Sequence, residues 1–330
     1  MFKLFSPLNR QRTMIAGLDI SSSNIHLVEF SSQPHLQLER YASAHLPAGV
    51  ITDDGIDDLE RLIDTVRTLR ETSGAQSRRI VISLPTAMTV MGLRPLQTAT
   101  EEEDQLEALA RAHAAEILPY PLTQASIDFC ALAPAHPGDL PSLFVAAVRQ
   151  EIMDDLLAMV EVLALEAIAV DIACYADYAG WMHAQAAVPA TSRPNRIAML
   201  RIEDAAVHCS LFVNDHLRGD KTSCRLLVVP KGTIATPLPQ AVADLLRTVL
   251  TQTGTSQLDQ IVVSGSNACV IDLGAMLLRQ FRTNAILAAP FAGIKLADGI
   301  NPKHLESQAP TYLTASGAAL RNINKNGAAI

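Results

Sequence analysis

An acid followed by small polar residues, between two apolar runs, is the first feature of this chain that could do chemistry. Asp19 lies near the end of the first run, and Ser21, Ser22 and Ser23 lead into the second. This order predicts a tight β-hairpin with a carboxylate at its mouth. Free backbone N–H groups beside an acid can hold a phosphate and the water shell of its magnesium ion. An ordinary surface hairpin is the alternative interpretation.

The same pattern recurs near the middle of the chain. Residues 197–212 again form an apolar run, a polar turn and a second run, and the turn begins beside Arg201 and Glu203. Later, an apolar run ends at a turn that contains Gly265 and Ser266. Two such hairpins in two halves, followed by a strand, a glycine turn and a helix, resemble the actin-like ATPase fold, which binds nucleotide between duplicated α/β domains. The layout indicates the fold, whereas a site needs its own argument.

Size and composition predict a protein with well-packed cores. At 330 residues the chain is longer than one ordinary core supports, which favours two domains. Hydrophobic residues make up 49% and charged residues 18%, a balance that argues against general disorder. The net charge of −8, without a basic stripe, argues against nucleic acid as a partner.

The cysteines and the apolar segments indicate a cytoplasmic protein. Five cysteines are scattered without a CxxC pair, so reduced thiols are expected rather than disulfides or a metal site. The best candidate for a membrane span, residues 156–172, is interrupted by Glu161, Glu166 and Asp171. We therefore expect no segment that crosses a membrane.

A series of short segments makes the resemblance to one family specific. The opening hairpin is followed, in order, by segments at residues 41–50, 83–85, 117–122, 146–152, 284–293 and 317–321. No single segment is decisive. Together, along nearly the whole chain, they resemble the PilM family, the actin-like cytoplasmic proteins of type IV pilus assembly, which are related in fold to the division protein FtsA.

The resemblance implies an α/β, actin-like ATPase fold made of duplicated ribonuclease-H-like domains. It divides the chain into an N-terminal tail (1–13), a first lobe (14–190) and a second lobe (191–330). A small inserted subdomain is expected in the first lobe at about 86–143. The segment before the helix that contains Val242 is short for the family, which predicts a reduced fourth subdomain.

The resemblance also implies a scaffold at the inner face of the membrane, held there by its partner. The family binds the cytoplasmic tail of the membrane protein PilN in a groove between the first lobe and the inserted subdomain, and PilN couples it to PilO and the pilus platform. Neither nucleic acid nor a small-molecule substrate is implied. Leu84 and Pro85 end a predicted strand, and Tyr120 and Pro121 form a bend, so all four are expected to border this groove. Alternatively, the prolines only terminate elements.

MgATP in the cleft between the lobes is usual for the family, and this chain departs from the family there. The cofactor-binding positions are Asp19, Ser21, Ser22, Ser23, His26, Gly265 and Ser266. Ser21, His26 and Ser266 stand where the family has glycine, lysine and a second glycine. Arg201 and Glu203 replace the aspartate and the glycine of the second loop, which places an anion where phosphate oxygens would lie.

These departures predict a degenerate nucleotide site with no catalytic and no metal-binding residue. ATP and magnesium are the cofactors that the family implies, and Ser21, Arg201 and Glu203 disfavour them. The expected function is therefore that of a scaffold, not of an enzyme. The alternative is an ATP-binding, FtsA-like protein whose nucleotide state gates partner binding.

Overall fold

The fold is built on three β-sheets and the helices that cover them. The computed structural model describes residues 14–32, 35–52, 54–96, 103–132, 140–203, 206–214, 222–230, 238–266 and 270–325. The N-terminal tail, residues 1–13, lies outside these ranges. In chain order the elements are β1 (Met14–Ile20), β2 (Asn24–Ser31), β3 (Gln37–His45), α1 (Leu59–Ser73), β4 (Arg79–Leu84), β5 (Thr89–Pro95), α2 (Glu103–Ile117), β6 (Ala125–Leu132), β7 (Ser142–Arg149), α3 (Gln150–Val162), β8 (Glu166–Ile172), α4 (Ala173–Ala184), β9 (Arg196–Ile202), β10 (Ala206–Asn214), β11 (Thr222–Pro230), α5 (Leu238–Thr253), β12 (Gln260–Ser264), α6 (Val270–Phe281), β13 (Ala285–Leu287), β14 (Lys295–Leu296), α7 (Pro302–Gln308) and α8 (Leu313–Lys325).

The first sheet has the strand order β14-β3-β2-β1-β4-β8. β1 and β2 form the predicted hairpin, with Asp19 opposite His26, and β1 pairs with β4 in parallel. Side chains of β1 and β4 are buried along almost their whole length because helices cover both faces of the sheet. On one face, Leu62 and Val66 of α1 and Met159 of α3 belong to its core.

The second sheet repeats this topology. Its order is β11-β10-β9-β12-β13, in which β9 and β10 are antiparallel while β9, β12 and β13 are parallel. Helices α5 and α6 cover one face, where Leu246 and Leu277 are fully buried. The second hairpin and the duplication expected from the sequence are confirmed, and β12 ends at Ser264, at the predicted third turn.

The third sheet forms a small separate layer with the order β5-β7-β6. β5 and β6 both pair with β7 in the antiparallel sense. Ala110 and Ala114 of α2 pack against Leu143 and Val145 of β7 in its core. This layer contains the segment that the sequence assigns to an inserted subdomain, and it continues through β7 to Arg149.

Helices α4 and α8 lie between the first and second sheets. α8 packs on β1 and on α4. α4 reaches the second sheet, where the Tyr178 ring stacks on Phe212 with centroids 4.4 Å apart. The two helices cross so closely that a Cβ atom on Gly317 would lie 1.7 Å from the carbonyl oxygen of Ala176. Glycine is therefore required at position 317.

The connection between β11 and α5 is short. β11 ends at Pro230 and α5 begins at Leu238, so residues 231–237, which lie outside the described ranges, are all that joins them. This length agrees with a reduced fourth subdomain. No helix in the described part of the chain combines the length and the apolar composition that a membrane span requires.

Candidate functional site

The two hairpins meet beside the central helices, and their side chains form a buried charged cluster. The exposed fraction is 1% for Asp19, 4% for Arg201 and 5% for Glu203. Asp19 lies on β1, Arg201 on β9, and Glu203 directly after β9. Because these charges are removed from water, they need partners inside the protein.

The Arg201 guanidinium lies at the centre of this cluster. Its Nη1 atom is 3.6 Å from Asp19 Oδ1, and its Nε atom is 3.1 Å from Glu203 Oε1. Burial by itself lowers the pKa of Arg201, but Glu203, Asp177 and Asp19 outweigh this effect and raise the pKa. Arg201 is therefore a permanent cation that faces carboxylates of both hairpins.

The two central helices add Asp177 on α4 and Thr314 on α8. Arg201 Nη1 donates to Thr314 Oγ1 at 3.0 Å, and this hydroxyl donates to Asp177 Oδ1 at 2.5 Å. Burial raises the pKa of Asp177 to about 7, against the lowering effects of Arg201 and Thr314. We call Asp19, Asp177, Arg201, Glu203 and Thr314 the Arg201 cluster.

His208 on β10 lies beside the Arg201 cluster, with Nε2 3.9 Å from Glu203 Oε2. Burial, followed by repulsion from Arg201, lowers its pKa to about 3, and Asp19 acts in the opposite direction. The folded pKa is thus below the ordinary value of 6.5. The stability that neutral His208 provides is therefore present above about pH 6.5 and is lost as the pH falls towards 3.

We expect His208→Gln to make the fold less sensitive to acid. Between about pH 7 and pH 5, the wild type should lose about 1–2 kcal/mol more unfolding free energy than the variant, as measured by urea denaturation. Asp177, whose pKa is raised, acts with the opposite sign over this interval, because its protonation favours the folded state. Both proteins contain Asp177, so the difference between them isolates His208. Equal losses would contradict this assignment.

The first hairpin turn is closed by its own hydrogen bonds. The Ser21 N–H and hydroxyl groups both donate to the Asn24 carbonyl, each at 2.9 Å. Asn24 Nδ2 donates to Ser23 Oγ at 3.0 Å. Ser21 is buried, whereas Ser22 and Ser23 are half-buried. The serines therefore act as turn residues in this structure.

His26 lies on β2 and faces the other oxygen of Asp19. Its Nδ1 atom is 3.3 Å from Asp19 Oδ2, and its ring packs edge-on against Tyr312. Asp19 thus meets Arg201 on one oxygen and His26 on the other.

The third turn places Gly265 against the end of β9. Gly265 is buried with a φ of 98°, and a Cβ atom there would lie 2.3 Å from the Ile202 carbonyl oxygen. Its N–H group donates to the Pro310 carbonyl at 3.2 Å. Ser266 is exposed. Glycine is therefore required at position 265 by the close approach of two backbones.

Three members of this site were not found from the sequence: Asp177, Thr314 and His208. Asp177 carried a signal, since it is the single acid of α4 among small and aromatic residues. An acid on a helix that is buried on most sides needs a partner. Thr314 and His208 carried none, because their roles depend on contacts between distant segments.

A model of the family described as "Type IV pilus assembly protein PilM" matches residues 17–218 and 234–323. This chain belongs to the PilM family. The match includes both hairpin turns, the third sheet and every residue of the Arg201 cluster. The resemblance drawn from the sequence is confirmed.

Solved structures similar to this PilM-family chain share its fold. A chain of a PilM-PilN type IV pilus biogenesis complex is 22% identical, with 94% of this chain and 98% of that chain covered and a TM-score of 0.73. A diol dehydratase-reactivating factor in nucleotide-free form is 9% identical, covering 94% and 100%, with a TM-score of 0.52. The ethanolamine utilization protein EutJ from Carboxydothermus hydrogenoformans is 11% identical, covering 96% and 91%, with a TM-score of 0.50. These likenesses show the actin-like ATPase fold.

Leu84 is a core residue in this member of the PilM family. It ends β4, is 2% exposed and packs in the core between the first sheet and α1. The expectation that its side chain borders a partner groove is therefore corrected. Both faces of β4 are covered, so the alternation of polar and apolar residues could not show which way Leu84 faces.

Pro85, Tyr120 and Pro121 lie at one end of the third sheet. β5 and β6 both begin opposite the end of β7, so the segments that precede them lie on either side of Arg149. The Arg149 guanidinium lies over the Tyr120 ring, 4.4 Å from its centroid. Pro121 is exposed, and Pro85 and Tyr120 are half-buried. We call Pro85, Tyr120, Pro121 and Arg149 the Tyr120 surface.

Proposed function

We propose that this chain is a scaffold of the type IV pilus assembly complex that binds the cytoplasmic tail of a PilN-like inner-membrane protein. The family match along both halves supports this, as does the similarity of 94% of the chain to part of a PilM-PilN complex. The tail holds the scaffold at the inner face of the membrane and couples it to PilO and the pilus platform.

We propose that the PilN-like tail binds at the Tyr120 surface. Of the described strands, β7 alone pairs with β5 and β6, so each has an edge to which an extended peptide can add main-chain hydrogen bonds. The Tyr120 ring, with Arg149 over it, lies where these two strands begin. Tyrosine and arginine are the residue types that most often dominate binding energy at interfaces.

We infer that the first and third turns do not hold a magnesium nucleotide. A phosphate needs free backbone N–H groups, but those of Ser21 and Gly265 already donate to backbone carbonyls. Asp19 is 1% exposed and lies against Arg201, so it is withdrawn from a magnesium water shell. Glu203 adds a carboxylate, which repels phosphate oxygens. The proposed scaffold therefore works without nucleotide and without a catalytic step.

Binding of a synthetic PilN-like tail peptide tests this function. The wild type should bind the tail peptide from the same organism, and Tyr120→Ala should weaken binding at least about tenfold, or about 1.4 kcal/mol. The measurement is a titration by calorimetry or fluorescence anisotropy, with the melting temperature of each variant recorded.

Tyr120→Phe is the matched control. It keeps the ring under Arg149 and removes only a hydroxyl that has no hydrogen-bond partner among the described residues. Binding should therefore remain close to that of the wild type. Unchanged binding by a folded Tyr120→Ala would move the site elsewhere, and no binding by the wild type would remove the scaffold proposal.

A further inference from the structure

Arg201 is fixed in one sheet and reaches the other. Its backbone lies in β9, paired with His208 of β10 on one side and Ser264 of β12 on the other. Its side chain extends out of the second sheet to Asp19 of the first sheet and to Thr314 of the central helix α8. The side chain is 5% exposed, so this contact is shielded from water.

The charges around Arg201 come from elements that are distant in sequence. Asp19 belongs to β1, Asp177 to α4, and Glu203 to the turn after β9. The planar guanidinium can face several carboxylates at once, which an ammonium group cannot do with the same geometry. Without this cation, the buried carboxylates of Asp19, Asp177 and Glu203 would face one another with no positive charge of Arg201 between them.

Arg201 lies between the two hairpins, where the family resemblance implies a nucleotide. Actin-like ATPases hold nucleotide between the two hairpins, and here the two hairpins meet on the Arg201 side chain. Asp19, His26, Arg201 and Glu203 are all buried in the chain by itself. The side chains of the two hairpins therefore contact one another directly through Arg201.

We propose that Arg201 is a built-in replacement for the nucleotide, and that its guanidinium holds the two hairpins together in the free protein. The inference rests on the nucleotide-free function proposed above. It adds which side chain keeps the two hairpins in contact. The contact between the two hairpins then depends on the Arg201 side chain, and a nucleotide neither forms nor breaks it.

Hydrogen–deuterium exchange of the whole chain, followed by mass spectrometry, tests the proposal. In Arg201→Met, backbone amides around Ser21 and around Ile202 should exchange at least about tenfold faster than in the wild type. Amides of α1 and α5, which cover the outer faces of the two sheets, should exchange at the wild-type rate. Unchanged exchange at both turns in a folded Arg201→Met would overturn the proposal.

Arg196→Met is the matched control. Arg196 lies on the same strand, but its Nη2 atom pairs with Asp259 Oδ1 at 2.9 Å within the second half of the chain. The Arg196→Met variant thus lacks an arginine and an ion pair, but its contacts to the first sheet are unchanged. Exchange at the first hairpin turn should therefore match the wild type, and an increase like that of Arg201→Met would overturn the specific role of Arg201.

Asp19→Asn takes the place of Arg201→Met if that variant does not fold. This substitution removes the negative charge that the first sheet presents to Arg201. It leaves Arg201 beside Glu203 and Asp177. Exchange at both turns should rise at least about threefold, and wild-type exchange in this folded variant would overturn the proposal.

Exchange in the presence of millimolar MgATP is a second test of this inference. Wild-type exchange at the two turns should not change. Slower exchange would overturn both the replacement role of Arg201 and the nucleotide-free scaffold. Tail binding plays no part in this readout, so a failure of the peptide titration alone would leave the role of Arg201 standing.

Discussion

Gly317→Ala is expected to destabilise the fold by at least about 3 kcal/mol, measured as the unfolding free energy in urea. The added Cβ atom would lie 1.7 Å from the Ala176 carbonyl oxygen and 2.7 Å from the Gly180 nitrogen. Both are backbone atoms, so no rotamer change relieves the overlap, and α4 and α8 must separate. These helices form the layer between the two sheets, and their separation disturbs the packing on both sides.

Gly274→Ala is the control for this substitution. Gly274 lies inside α6, and a Cβ atom there would meet open space. Alanine favours the helix by up to about 1 kcal/mol relative to glycine, so the same chemical change should stabilise this site. A loss of less than about 1 kcal/mol in Gly317→Ala would contradict the close approach of α4 and α8.

Leu84→Asp is the second change with a large expected effect. It removes a buried leucine and places an unpaired carboxylate in the core of the first sheet, which should cost about 3–5 kcal/mol. Circular dichroism during urea denaturation measures this loss. Tail binding should disappear only to the extent that the chain unfolds.

Ala87→Asp is the control for Leu84→Asp, because it introduces the same carboxylate at an exposed position close to the end of β4. Ala87 is exposed, three residues after Leu84, and its substitution should change stability by no more than about 0.5 kcal/mol. If Leu84→Asp kept wild-type stability and still lost the tail peptide, Leu84 would be a contact residue after all.

Local patterns were sufficient for the two hairpins, the third turn and their duplicated order. Apolar runs joined by short polar turns identified both hairpins, and the glycine turn after β12 was found in the same way. These features depend on residues close in sequence, which is why they can be read from one chain. The close approach of α8 to α4 at Gly317, in contrast, is seen only in the structure.

The candidate site could be predicted only in part. Arg201 and Glu203 stood out as departures from the family, but the sequence could not show that Arg201 pairs with Asp19, because this contact joins strands of two different sheets. The participation of Asp177 and Thr314 depends on how the central helices pack. Leu84 was expected at the groove because it ends a strand, and its burial could not be predicted because a strand that is covered on both faces carries no alternation.

We propose that this member of the PilM family recognises a PilN-like tail without nucleotide. The most direct test of this proposal is the dissociation constant of the tail peptide, measured once with the wild-type protein in EDTA and once in millimolar MgATP. We expect binding in EDTA with a dissociation constant that MgATP leaves unchanged within about twofold. Binding that requires MgATP, or that MgATP tightens tenfold or more, would contradict it and favour the nucleotide-switched alternative.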